Sequence, residues 1–149
     1  MAGFIGKAIT NEIALTAATE KTVLQLIAPS NHRLKILGWG VHFDGVSVTE
    51  APVVVKFERQ TDAGTMTALT LVKNDDSLAE SLQATAQHTA TAEPTSGNLL
   101  EQKNVHPQTG FEKLYPLGQE IMVGGGDRVG ITCTAPAAVN VIAEITYEE

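Results

Sequence analysis

The side chains able to hold a metal or move a proton are few in this sequence and poorly spaced for either task. Four histidines, His32, His42, His88 and His106, offer the commonest nitrogen ligand. A cupin, itself a jelly roll, would place two histidines one residue apart on a strand with a glutamate soon after. Here His42 is followed by Phe43 and Asp44, with no second histidine. They read as scattered turn and surface residues, so no metal and no cofactor is expected, with a site assembled from distant strands left open. Gly124-Gly125-Gly126-Asp127-Arg128 has the look of an anion cradle. It lacks the Gly-Lys-Ser/Thr and the following helix of a P-loop, Asp127 adds negative charge, and Val129 to Thr132 continues as strand. A flexible hairpin turn is the expectation. Cys133 alternates with Ile131 and Val129 on what should be a buried face, where a thiol is inert packing. No serine sits in a Gly-x-Ser-x-Gly elbow and the carboxylates are spread over the turns, so no catalytic residue is assigned and the chain reads as a non-enzyme. Trp39 reads as core filler, with a sugar-stacking platform as the alternative.

The elements that must position these residues are β-strands. Val, Ile and Thr fall in short runs separated by Gly, Pro, Asn and Asp, the punctuation of an antiparallel protein. Strands are predicted at 21–28, 33–43, 52–60, 84–92, 111–115, 119–123, 127–134 and 139–148. In the second, Leu34 and Ile36 lie on one parity and Leu37, Trp39, Val41 and Phe43 on the other, which suits a central strand. Gly38 and Gly40 there point to a bulge or to a ring lying over bare backbone. In the third, Val53, Val55 and Phe57 should face the core while Lys56, Glu58 and Gln60 face water; Val46 to Glu50 before it look exposed. Asn74 or Asp75 could cap one or two turns of helix near 74–81. Residues 93–110 read as a long loop used for contacts. The last two strands, with Pro136-Ala137-Ala138 between them, read as a β-hairpin.

About eight strands without βαβ spacing give an all-β, antiparallel two-sheet sandwich. A jelly roll is preferred, with barrel and immunoglobulin-like forms as alternatives and at most a short helix. The expected organisation is an N-terminal arm over residues 1–9 and a single sandwich domain over 10–149.

Length and composition set the outer bounds. With 149 residues the chain has the size of one domain, and 43% hydrophobic against 18% charged residues lie outside the range of disordered chains. A formal charge of −7 repels a nucleic-acid backbone or an anionic membrane at long range, so neither is expected as partner. One cysteine rules out an internal disulfide. No apolar run approaches the ~18–20 residues of a membrane span, Asn11 and Glu12 come too early for a signal-peptide core, and Ala2 occupies the place of the myristoylated glycine.

The succession of TAATEKTVLQLIAPSNHRLKILGWGVHFDG, VVVKFERQTDAGTMTALT, VHPQTG, GGGDRVGI and APAAVNVIAEITYEE resembles, over nearly the whole chain, the capsid decoration or cement proteins encoded among tailed-phage head genes. The resemblance implies a structural virion protein, assembled in the host cytoplasm as a homotrimer and seated on the outer capsid surface, where its loops and termini bind the major capsid protein. Candidate contacts are Phe4, Ile5 and Ile9 in the arm, ordering on a neighbouring subunit, together with Val105, His106, Pro107, Gln108 and Tyr115. The alternatives are a receptor- or glycan-binding head or fibre module, using Trp39 or the 93–110 loop, and a cupin-like metalloenzyme.

Overall fold

The structure, a computed structural model, describes residues 3–46 and 51–149, so Ser47 to Glu50 of the exposed-looking stretch lie outside the described residues. The strands are β1 (Ile5–Ile9), β2 (Ile13–Leu15), β3 (Glu20–Ile27), β4 (Leu34–Phe43), β5 (Val53–Gln60), β6 (Thr65–Leu69), β7 (Val72–Lys73), β8 (Thr85–Ala92), β9 (Ser96–Val105), β10 (Gly110–Leu114), β11 (Ile121–Val123), β12 (Arg128–Thr134) and β13 (Val139–Glu148). They form two antiparallel sheets packed face to face. The first runs β10-β4-β13-β1-β7, with β11 also on β4 and β2 also on β13; the second runs β6-β8-β3-β12-β5-β9.

The order β1-β13-β4-β10 in one sheet over β3-β12-β5-β9 in the other is the wrapping of a jelly roll, in which the chain changes sheet at nearly every step. Eight strands carry that wrap, but not the eight expected: β1 and β9 join it, β8 is an insertion, and the strands expected at 111–115 and 119–123 are two parts of one. The larger total arises because two of the eight are broken, into β1/β2 and β10/β11, and because β6, β7 and β8 are inserted between β5 and β9. The first break is bridged, since Thr10 N–H donates to the Ala143 carbonyl and Thr10 Oγ1 accepts from Ala143 N–H.

The mixed parity of β4 has a single cause. β13 pairs Thr146 with Gly38 and Tyr147 with Ile36, so Leu37 is an extra residue, a bulge that flips the strand. Leu34 and Ile36 before it, and Trp39, Val41 and Phe43 after it, all face the core. Across the core the Trp39 ring stacks on Phe57 of β5, centroids 5.3 Å apart and 15° from parallel. Such a pair adds about 0.5–1.5 kcal/mol beyond its burial. Val53, Val55, Val129, Ile131, Cys133, Val141, Ala143, Ile145 and Tyr147 complete this layer, all fully buried. Burial pushes the Cys133 thiol up to about 12, in keeping with an inert packing role.

Several expectations need correction. Residues 5–9 are not an arm: β1 pairs with β13 from Ile5 opposite Glu148 to Ile9 opposite Glu144, inside this chain's own sheet. No helix forms over 74–81. Asp75 does make the capping bond, accepting from Ser77 N–H at 2.9 Å and Ser77 Oγ at 2.6 Å, but Lys73 Nζ takes the Leu78 and Glu80 carbonyls and Asn74 N–H joins the Ile5 carbonyl. The supposed loop over 93–110 contains β9, ten residues long. It is an edge strand, paired with β5 alone, so little of it is buried and its apolar alternation is weak. Neither Gly124-Gly125-Gly126 nor Pro136-Ala137-Ala138 closes a hairpin, because each carries the chain from one sheet to the other.

Glu58 and Gln60 do not face water either. Each is only 4% exposed, because the chain roofs the middle of the second sheet's outer face with its own links. Thr61–Gly64 leaves β5 for β6 and Glu93–Thr95 leaves β8 for β9, joined by Thr61 N–H to the Thr95 carbonyl. Beneath them a chain of polar side chains runs from Gln87 to Ser96. Gln87 donates to Gln25, Gln25 to Gln60 at 2.6 Å and to the Asp62 carbonyl, and Gln60 to Thr22. Thr22 and Thr132 share a hydroxyl contact, and Glu58 Oε1 accepts from both Thr132 and Ser96. A buried network in which the members find partners fixes one arrangement, whereas an orphaned amide would cost ~1–3 kcal/mol.

Candidate functional site

The first sheet is not roofed. Paired residues share a face, so register assigns its outer surface strand by strand: Val72 on β7; Ile5, Lys7 and Ile9 on β1; Ile142, Glu144, Thr146 and Glu148 on β13; Gly38, Gly40 and His42 on β4; Gly110, Glu112 and Leu114 on β10. Val72, Ile5, Ile9, Ile142 and Leu114 are all exposed, Leu114 at 79%. These five apolar side chains make the face a candidate contact surface, although the second sheet also exposes Leu99, at 52% on β9, beyond the part of its outer face that the links cover.

A polar cluster lies within the face. Gly40 pairs with Glu112 on one side and Glu144 on the other, and its missing side chain leaves Glu112 free to lie over the strand; a Cβ there would come within 3.0 Å of Glu112 Cγ. Gly110 pairs with His42, and its own missing Cβ accommodates the imidazole. His42 Nε2 stands 3.4 Å from Glu112 Oε1, and ligand atoms of His42, Glu112 and Glu144 lie within 4.8 Å of one another. Burial, and then the neighbouring Glu112 carboxylate, push the Glu144 carboxyl above its ordinary value, with His42 and Lys7 opposing. Three sequence-distant residues thus converge. Only the glycines on β4 hinted at it, since which residues stand beside Gly40 depends on strand order. His32, His88 and His106 lie on other elements, outside this cluster.

The contact residues expected from sequence are divided among three places. Ile5 and Ile9 lie on the open face, and Phe4 and Ile5 line a surface cleft of about 470 Å³ with Lys73, Asn74, Asp75, Leu78 and Glu80. His106 and Gln108 are exposed in a turn at one end of the sandwich, whereas Val105 and Pro107 are buried there, the Pro107 carbonyl accepting from Gly45 N–H at 2.8 Å. Both pack within the fold, so of this group His106 and Gln108 are the side chains presented to solvent. Tyr115 is half-buried at the β9–β10 edge. Its hydroxyl donates to Glu101 at 2.6 Å and accepts from Trp39 Nε1 at 3.2 Å, while Lys113 Nζ meets the same Glu101 oxygen at 2.7 Å. Burial alone would raise the Glu101 carboxyl, but Lys113 and Tyr115 outweigh it and hold the group below its ordinary value. This cluster closes the sandwich edge, binding β9 of one sheet to β10 of the other. Trp39, 2% exposed, is core and offers no face to a sugar.

No protein-family model matches the chain, and no curated protein matches it. The functional reading therefore rests on the resemblance of the sequence segments together with the geometry of the open face.

Proposed function

We propose that the chain is a structural virion protein that decorates a tailed-phage capsid, docking on the major capsid protein through the open face of its first sheet. The observation that supports this reading is the number of large apolar side chains on one face: Val72, Ile5, Ile9, Ile142 and Leu114 stand exposed on the first sheet, whereas links and a buried amide network cover the middle of the second, where Leu99 is the large apolar residue left exposed. Binding of this kind requires no turnover. In this reading three copies assemble on the outer shell, and weak contacts repeated around a symmetry axis combine into tight attachment. The acidic balance of the chain disfavours direct contact with DNA or an anionic membrane.

The test is co-sedimentation of the purified chain with shells of its source phage from which it has been stripped. Stoichiometric rebinding is expected, lost in an Ile9→Glu, Ile142→Glu double variant that keeps its β circular dichroism. A chain absent from purified particles, or one whose double variant rebinds undiminished, overturns the proposal.

A further inference from the structure

We propose that His42, Glu112 and Glu144 form a binding site for a divalent transition metal of the zinc type on the open face of the first sheet. The donor set is one imidazole nitrogen and two carboxylate groups, a mixture suited to Zn²⁺ and, less well, to Mn²⁺; Ca²⁺ and Mg²⁺ favour oxygen alone. Two ligands of a tetrahedral zinc ion, each about 2.0–2.1 Å from the metal, stand roughly 3.4 Å apart. His42 Nε2 and Glu112 Oε1 already stand at 3.4 Å. Glu144 completes the set within 4.8 Å, and a rotation of its flexible side chain brings it into range.

The backbone holds this arrangement in place. The three residues come from three adjacent hydrogen-bonded strands, β10, β4 and β13, so their spacing is set by the sheet. Gly40 and Gly110 remove the two Cβ atoms that would push Glu112 and the His42 ring out of position. Two carboxylates set side by side across Gly40 repel each other, and of the nearby cationic groups Lys7 lies on the far side of Glu144, on β1. A dication between them replaces that repulsion with attraction. Three protein ligands leave the remaining position open toward solvent, as in zinc sites that exchange a ligand.

The experiment is titration of the full chain with Zn²⁺ in competition with a chromophoric chelator, repeated with Mn²⁺ and Ca²⁺. One Zn²⁺ per chain is expected, held at least tenfold more tightly than Ca²⁺. His42→Ala, Glu112→Gln and Glu144→Gln should each weaken it tenfold or more, and His106→Ala should not. As a readout free of any variant, Zn²⁺ should shift the His42 imidazole nitrogen resonances ahead of those of the other three histidines. Absence of saturable one-to-one binding up to millimolar Zn²⁺, a loss of under tenfold in the cluster variants, or first perturbation of another histidine overturns the site.

Discussion

At the scale of the residue, glycines decide what neighbouring side chains can do. Gly130 on β12 is one such case, because a Cβ there would press on Gln60 Oε1, inside the buried amide network. Gly130→Ala must push Gln60 away from Gln25 and Thr22, stranding polar groups beneath the roof of the second sheet. We expect a loss of roughly 1–3 kcal/mol, read as a lower urea midpoint with an unchanged slope. An unaltered midpoint would mean that the network contributes nothing to stability. Little of this was legible beforehand. The alternation in Val53 to Gln60 correctly separated core residues from outward ones, yet outward did not mean solvated, since a link from elsewhere in the chain covers that face.

At the scale of the element, β1 is the strand whose role the sequence most understated. Five residues punctuated by glycine look too short to pack, but pairing needs only a backbone edge, and β13 supplies one. Gly6 is required there because the Tyr147 ring lies against it, 2.6 Å from where a Cβ would stand. Deleting residues 1–9 should therefore uncover Tyr147 and free the β13 edge. We expect a fall in melting temperature on the order of 10 °C or more, with a tendency to associate through the exposed edge, measured by circular dichroism and light scattering. A truncated chain as stable and as monodisperse as the full one would restore the view of residues 1–9 as a detachable arm. Edge strands such as β9 escaped detection for a related reason: a strand with one neighbour needs no continuous apolar face.

At the scale of the whole molecule, the sandwich responds to pH through groups that its closure buries. Both tyrosines, Tyr115 and Tyr147, are pushed above their ordinary value of 10.0, chiefly by burial. Cys133 is displaced in the same sense from 9.0. A pKa raised in the folded state means that the unfolded chain releases its proton first. The stability contribution is whole below the unfolded-state value and falls away as pH rises past it toward the folded value. Tyrosinate absorbance should thus stay low through pH 10 and rise only above it, together with loss of the β spectrum; titration at pH 10 with the fold intact would contradict the burial described. Glu101, held low by Lys113 and Tyr115, and Glu148, held low by Lys35, act at the opposite end. Their contribution is complete above the ordinary value of 4.5 and is lost as pH falls through their lower folded values, so stability should decline in acid. Composition and alternation determined that this is an all-β sandwich, which residues line its core, and that Cys133 and Trp39 are buried, because those properties follow from the two-residue period of a strand. Which part of a sheet is roofed, and that His42 meets Glu112 and Glu144, were decided only by tertiary structure, because they depend on which strands become neighbours and on where links pass over a face, and neither leaves a mark on local sequence period.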